Sequence, residues 1–334
     1  MDDTGADYRV LGPVEVLDRR SGTYVVPSGA KQRALLGALV VRAGQVLPAD
    51  RLIHELWGDR PPAGAANALH AHVARLRRLL EGAGGRERIA TRSMGYLLRP
   101  GRAGTDAQRF HRLSAEGRAA LGADPVRAAR LLDGALALWR GPALEGSGQG
   151  PLCTAEADRL EELRLTTLET LYDANLRSGR HAEAAAELER LTAGHPTRER
   201  LYDLQMLALY RCGRQTEALG VYERARRRLR DGLGVEPGPA LRERMEAILH
   251  HAPALALVAP APVAAPAPVA APVAVAAPVA APPDPGPSSV DELGRAIARL
   301  GERIEALGRE QQALIRRFDL LTAAAPDGSG PPQA

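Results

Sequence analysis

The residues best equipped to do chemistry lie between Gly64 and Gly82, in GAANALHAHVARLRRLLEG. At helical spacing Asn67, His70, Ala71, Ala74 and Arg78 share one face, with His72, Arg75 and Arg77 on its shoulders. Amide, imidazole and guanidinium groups set among short side chains can enter a DNA major groove and hydrogen-bond to base edges and phosphates. The same arginines would also suit a solvated surface helix, so the segments around it decide between the two readings. Nothing else in the chain competes as a reactive site. The GSGQG run at Gly146–Gly150 has no Lys-Ser/Thr after it and no strand before it, so it does not read as a phosphate-cradling loop. Cys153 and Cys212 are far apart and lack metal-ligand spacing. No Ser-His-Asp, Cys-His or paired-carboxylate arrangement is evident, so no enzyme, no cofactor and no metal is expected.

The elements that must position this face are also legible. Leu69, Val73, Leu76 and Leu80 recur at steps of four, three and four, the inward stripe of an α-helix. After a turn at Gly82–Gly85, Ile89, Thr91, Tyr96 and Leu98 predict a β-hairpin with a basic tip at Arg92–Gly95. Helix followed by basic hairpin is the pattern of a winged helix, with Arg92 suited to a minor groove. Upstream, YRVLG, VEVLD and TYVVP predict a small antiparallel sheet. A helix follows from Ala30 to a stop at Gly44, and a second is predicted over Val46–Gly58 with Leu52, Ile53, Leu56 and Trp57 inward.

Charge is concentrated where this reading needs it. Residues 1–105 carry 16 Arg and Lys against 10 Asp and Glu, whereas residues 106–252 carry 22 against 22. Nine arginines fall within residues 59–102, opposed only by Asp59, Glu81 and Glu87. A phosphate partner accounts for such a local surplus through counterion release.

Beyond residue 106, ANLRSGRHAEAAAELERL at Ala174 aligns with ALYRCGRQTEALGVYERA at Ala208 at an offset of 34 residues, pairing Gly179 with Gly213 and Ala184 with Ala218. That is the period of a tetratricopeptide array, either a partner-binding surface or a purely structural helical module. Pro253–Pro283 is uncharged and holds nine prolines in 31 residues, which forbids a membrane-spanning helix. At about 3.1 Å per residue, residues 253–289 make a linker of up to roughly 110 Å. In residues 290–322, Leu293, Ile297, Leu300, Ile304, Leu307 and Leu314 continue a heptad pattern with Gln311 at a core position. It predicts a dimerising coiled coil, or an amphipathic helix that docks elsewhere, since Gly294, Gly301 and Gly308 weaken it. Residues 323–334 form a tail. The acidic start MDDTGADYRV lacks an apolar core and is no signal peptide, so a cytoplasmic protein is expected.

GAKQRALLGALVVRAGQVL, DRLIHELWGDRPP, HVARLRRLL and IATRSMGYLL in succession resemble the DNA-binding domain of the Streptomyces antibiotic regulatory proteins. The stretches RFHRLSAEGRAAL, DGALALWRGPAL and ALYRCGRQTEALGVYERARRRLRDGLGVEPGPALRE resemble the bacterial transcriptional activator domain that follows it in that family. The resemblance implies a response-regulator-type winged helix over residues 1–105 and an all-α activator domain over 106–252. It further implies a transcriptional activator of antibiotic biosynthesis that binds direct repeats near a promoter's −35 region as side-by-side protomers. RNA polymerase would be recruited through its σ factor and β subunit. On this reading Asn67, His70, Ala71, Ala74 and Arg75 contact bases; Lys31, Arg33, Arg77, Arg78 and Thr91 contact phosphates; and Arg92 enters the minor groove. The loop GDRPPA, with Asp59, Arg60 and Pro61, is the expected polymerase-facing surface, or else a proline-stiffened connection. The family usually carries Ser or Thr where this chain has Pro48 and Gly64, so two helix caps are weaker here. The alternatives are a protein-binding adaptor and a ligand-responsive sensor whose output is DNA binding.

Overall fold

The computed structural model describes residues 6–82, 88–101, 104–148 and 150–255. The expected linker beyond Leu255, the coiled coil with Leu293, Ile297, Leu300, Ile304, Leu307 and Leu314, and the tail lie outside the described residues. No helix among the described residues is long and apolar enough to cross a membrane.

The three N-terminal β-prone runs form an antiparallel sheet in the order β1 (Ala6–Arg9), β2 (Glu15–Asp18), β3 (Tyr24–Val25). Three helices follow: α1 (Ala30–Val41), α2 (Ala49–Trp57) and α3 (Ala65–Gly82). The predicted second helix starts three residues too early and ends one too late. Val46–Pro48 is instead a strand, β4, which pairs antiparallel with the second strand of the hairpin, β5 (Ile89–Arg92) and β6 (Gly95–Leu98). Pro48, with no backbone N–H to give, ends the strand and precedes α2. The hairpin tip is two residues, Ser93 and Met94, because Arg92 pairs with Gly95. Gly95 is obligatory here, since a Cβ would collide with the carbonyl oxygen of Leu47 on the neighbouring strand. Leu69, Val73, Leu76 and Leu80 all point into a core shared with α1, α2 and both sheets. This is a winged helix whose wing is a three-stranded sheet.

The rest is helical: α4 (Asp106–Ala120), α5 (Pro125–Leu136), α6 (Pro151–Arg177), α7 (His181–Gly194), α8 (Glu199–Arg211), α9 (Gln215–Leu233) and α10 (Pro239–Leu249), then a 3₁₀ turn at Pro253–Leu255. The 34-residue repeat is a repeat of structure. At the α6–α7 corner Arg180 N–H donates to Asn175 O at 2.9 Å, and at the α8–α9 corner Arg214 N–H donates to Leu209 O at 2.9 Å. Gly179 and Gly213 occupy the left-handed conformation that closes each corner, at φ 86° and 75°. Ala174, Ala208, Ala184 and Ala218 are buried where the helices approach closely.

The junction between the two halves is packed rather than hinged. The segment Arg140–Glu145 lies along Val10–Val14 and is hydrogen-bonded through Arg140 N to Leu11 O, Leu144 N to Val10 O and Glu145 N to Gly12 O. Asp106, at the start of α4, accepts the backbone N–H groups of Val10 and Leu11 at 2.9–3.0 Å. Leu11 shares a core with Phe110 and Leu160, and Cys153 belongs to the core of the winged helix. On the other side, the carboxylate of Glu55 on α2 accepts Leu152 N–H at 2.7 Å and Cys153 N–H at 3.0 Å, capping the first turn of α6. The GSGQG run leads into that cap. Gly150 is a glycine because a side chain there would strike Glu55.

Candidate nucleic-acid interface

Burial of the leucine stripe turns the opposite face of α3 to solvent. Asn67, His70, Ala71, Ala74, Arg75 and Arg78 are all exposed, and His72 and Arg77 are half-buried at its edges. Arg75 and Arg78 make no ion pair or hydrogen bond among the described residues, leaving both guanidinium groups available to an anion. At the wing, Arg92 is exposed and donates to the carbonyl of Thr91 at 3.3 Å. Met94 beside it is 71% exposed, so the tip presents one cation and one apolar side chain.

The wing is fastened to α3 by Arg77. Its Nε donates to Ile89 O at 3.0 Å, one terminal nitrogen donates to Thr91 Oγ1 at 2.8 Å, and the guanidinium lies 6.0 Å from the Tyr96 ring centroid. His70 meets the same ring edge-on at 6.4 Å. Burial raises the Tyr96 hydroxyl above its ordinary pKa, against the opposing pull of Arg77, and so keeps it protonated.

Three of the expected phosphate contacts already have partners within the protein. Arg77 is spent on the wing. Lys31 donates from Nζ to Leu56 O at the C-terminal end of α2 and sits over the Trp57 ring, where exposed helix carbonyls attract a cation. Arg33 donates to Gly146 O at 2.9 Å and to Pro27 O at 3.0 Å, tying α1 to the interdomain loop. Thr91 keeps an exposed position, with its hydroxyl accepting from Arg77. Arg99, which the sequence does not single out, joins Arg77 and Arg92 around a cleft of about 350 Å³ between the end of α3 and the wing. Its signal was the arginine surplus in residues 59–102. Met94 left no signal beyond its place in the hairpin tip.

Behind the face, His72 is held by Gln32, whose amide nitrogen lies 2.9 Å from Nδ1, and by the Trp57 ring at 6.0 Å. Burial, then the charges of Arg75 and Lys31, push its pKa below the ordinary value, so it packs as neutral imidazole. In the loop between α2 and α3, Asp59, Arg60 and Pro61 are exposed, and Asp59 lies 3.6 Å from His54 Nδ1. Among the described residues no group of three or more His, Cys, Asp or Glu side chains is arranged to hold a metal.

Known proteins share this arrangement. Residues 24–98 match the family described as transcriptional regulatory protein, C terminal, and residues 105–249 match the bacterial transcriptional activator domain. The transcriptional regulator RedD of Streptomyces coelicolor is 44% identical over 253 residues, 75% of this chain and 72% of RedD. The regulatory protein DnrI of Streptomyces peucetius is 38% identical over 74% of this chain and 93% of its own length. The regulatory protein AfsR of Streptomyces coelicolor is 44% identical, but the match spans only 25% of that longer protein. Among solved structures, Mycobacterium tuberculosis EmbR in complex with a low-affinity phosphopeptide superimposes with a TM-score of 0.69 at 37% identity. That match covers 74% of this chain and 65% of EmbR.

Proposed function

From the premise that this chain belongs to the Streptomyces antibiotic regulatory protein family of transcriptional activators, we propose that it binds promoter DNA through α3 and the wing. The observation that carries the reading is the contrast in how its cations are used. Lys31, Arg33 and Arg77 are bound to backbone carbonyls of other segments, whereas Arg75 and Arg78 make no hydrogen bond among the described residues, Arg92 reaches the carbonyl of its neighbour Thr91, and all three face solvent around a strip of short side chains. In this reading Asn67, His70, Ala71, Ala74 and Arg75 face base edges in the major groove, Arg78 and Thr91 meet phosphates, and Arg92 enters the adjoining minor groove. The small side chains of Ala71 and Ala74 let the helix axis approach the base pairs. Direct-repeat binding by side-by-side protomers, control of an antibiotic gene cluster, and recruitment of RNA polymerase through the exposed Asp59–Pro61 loop are part of the same proposal. Dimerisation on DNA through the heptads at Leu293–Leu314 is another part.

The test is a gel shift of the full chain on promoters of its neighbouring genes, across a salt series, with Arg75→Ala/Arg92→Ala as control. A specific shift that weakens steeply with salt and disappears in the double variant supports the reading. Absence of any specific shift would transfer the function to the helical module, as a protein-binding adaptor.

A further inference from the structure

A second cleft, distinct from the one beside the wing tip, lies where β4 and α2 meet the first turn of α6. It has a volume of about 380 Å³ and is lined by Leu47, Leu52, Pro151, Leu152 and Ala155, with Arg51, His54 and Glu55 at its polar side. We propose that this cleft binds a small molecule with an apolar body and a single anionic group.

The occupant's size follows from the volume, which suits a compact organic molecule and is too small for a docked helix of several turns. Its apolar character follows from a floor of aliphatic side chains contributed by β4, α2 and α6. Its charge follows from what the polar residues are already doing. Glu55 is 4% exposed, and both of its carboxylate oxygens are taken by Leu152 N–H and Cys153 N–H, so its charge is directed into the first turn of α6. Arg51 is exposed at the cleft and makes no hydrogen bond or ion pair among the described residues. His54 already faces Asp59 at 3.6 Å, so the polar group left for an occupant is the Arg51 guanidinium, which favours a carboxylate, sulfonate or phosphate at the mouth.

Position gives the site its interest. The walls come from both halves of the molecule, and α2 also packs against α3. An occupant would touch the one helix that carries the interdomain cap and supports the exposed face.

The probe is 8-anilinonaphthalene-1-sulfonate, an aromatic body with one anion, titrated into the full chain and followed by fluorescence, with sodium decanoate and decylamine as competitors. The expected result is saturable binding at one site, displaced by decanoate and at least tenfold less well by decylamine. Arg51→Glu should weaken it about tenfold or more, and Ala155→Trp, which fills the cleft from an exposed position, should abolish it. Melting temperatures of both variants verify folding, and either variant alone suffices if the other fails to fold. Dye binding that survives Ala155→Trp, or that a folded Arg51→Glu leaves unchanged, would overturn the proposal. So would equal displacement by the amine.

Discussion

A terminal nitrogen of Arg77 sits 2.8 Å from the hydroxyl oxygen of Thr91, and Nε of the same guanidinium is 3.0 Å from the carbonyl of Ile89. One side chain on α3 thereby sets the distance between the helix and the wing. In a winged helix that distance must match the spacing between a major groove and the neighbouring backbone, so under the proposed function Arg77 is a positioning residue that acts through the wing it holds.

Arg77→Ala is expected to reduce affinity for specific DNA about tenfold, or about 1.4 kcal/mol, with the salt dependence nearly unchanged. Arg78→Ala should instead lower the slope of log K against log salt by about one unit. Binding isotherms at four salt concentrations separate the two roles, and equal slope changes would refute the assignment of Arg77 as a positioning residue.

Gly95→Ala should destabilise the winged helix by about 3 kcal/mol or more, because strand β4 has to move away before a methyl group fits. Thermal unfolding of the variant is the measurement. Gly22→Ala is the comparison, a glycine at φ 71° with nothing near its would-be Cβ. It is expected to cost only about 1 kcal/mol.

Glu55→Ala removes a carboxylate that accepts two backbone N–H groups and takes the partner from the buried Cys153 N–H and the part-buried Leu152 N–H. The expected loss is about 3 kcal/mol in urea unfolding. Glu55→Gln keeps one acceptor oxygen and should lose about half as much. If the alanine variant melts like the parent, the interdomain cap is unimportant.

Stability should fall on mild acidification. His72, His111 and His181 all have pKa values pushed below the ordinary histidine value, in each case chiefly by burial and secondarily by nearby arginine. A depressed histidine stabilises the fold above its unfolded pKa of about 6.5, and that stability is lost as pH falls through the lower folded value. Asp7 acts later. Burial raises its pKa, but Arg109, Arg19 and Arg9 together bring it below the usual carboxylate value, so its contribution is lost only in strong acid. Asp106 has the opposite sign, since burial outweighs its hydrogen bonds and raises its pKa. Melting temperatures from pH 7.5 to 5 should decline, and His181→Leu should flatten part of that decline. Both ring nitrogens of His181 are buried without a hydrogen-bond partner among the described residues, so this variant should also melt higher at pH 7. A lower melting temperature there would contradict the account.

The winged helix and the repeat were legible because both are written in local periods. Leu69, Val73, Leu76 and Leu80 announce a helix face, and paired Gly179 and Gly213 announce a repeated corner. Strand β4 was missed because Val46–Pro48 is too short to show an alternation and exists by pairing with residues about fifty positions away. The duties of the arginines were illegible for a related reason. Net charge located the basic surface, but only the fold brings Ile89 O to Arg77 and Gly146 O to Arg33. Glu55 and Leu152, 97 positions apart, carry no mark of their contact in the sequence.

The seam between Val10–Val14 and Arg140–Glu145 bears on engineering and on inheritance alike. Residues 24–98 match a family model of their own, yet β1, β2 and the Val10–Val14 side of the seam lie before it, stitched to the other half. A chimera cut at residue 105 would strip Leu11 of Phe110 and Val10 of Asp106. Under the proposed function, new promoter specificity is therefore best transplanted as the solvent face of α3 and the tip of the wing, with the scaffold left whole.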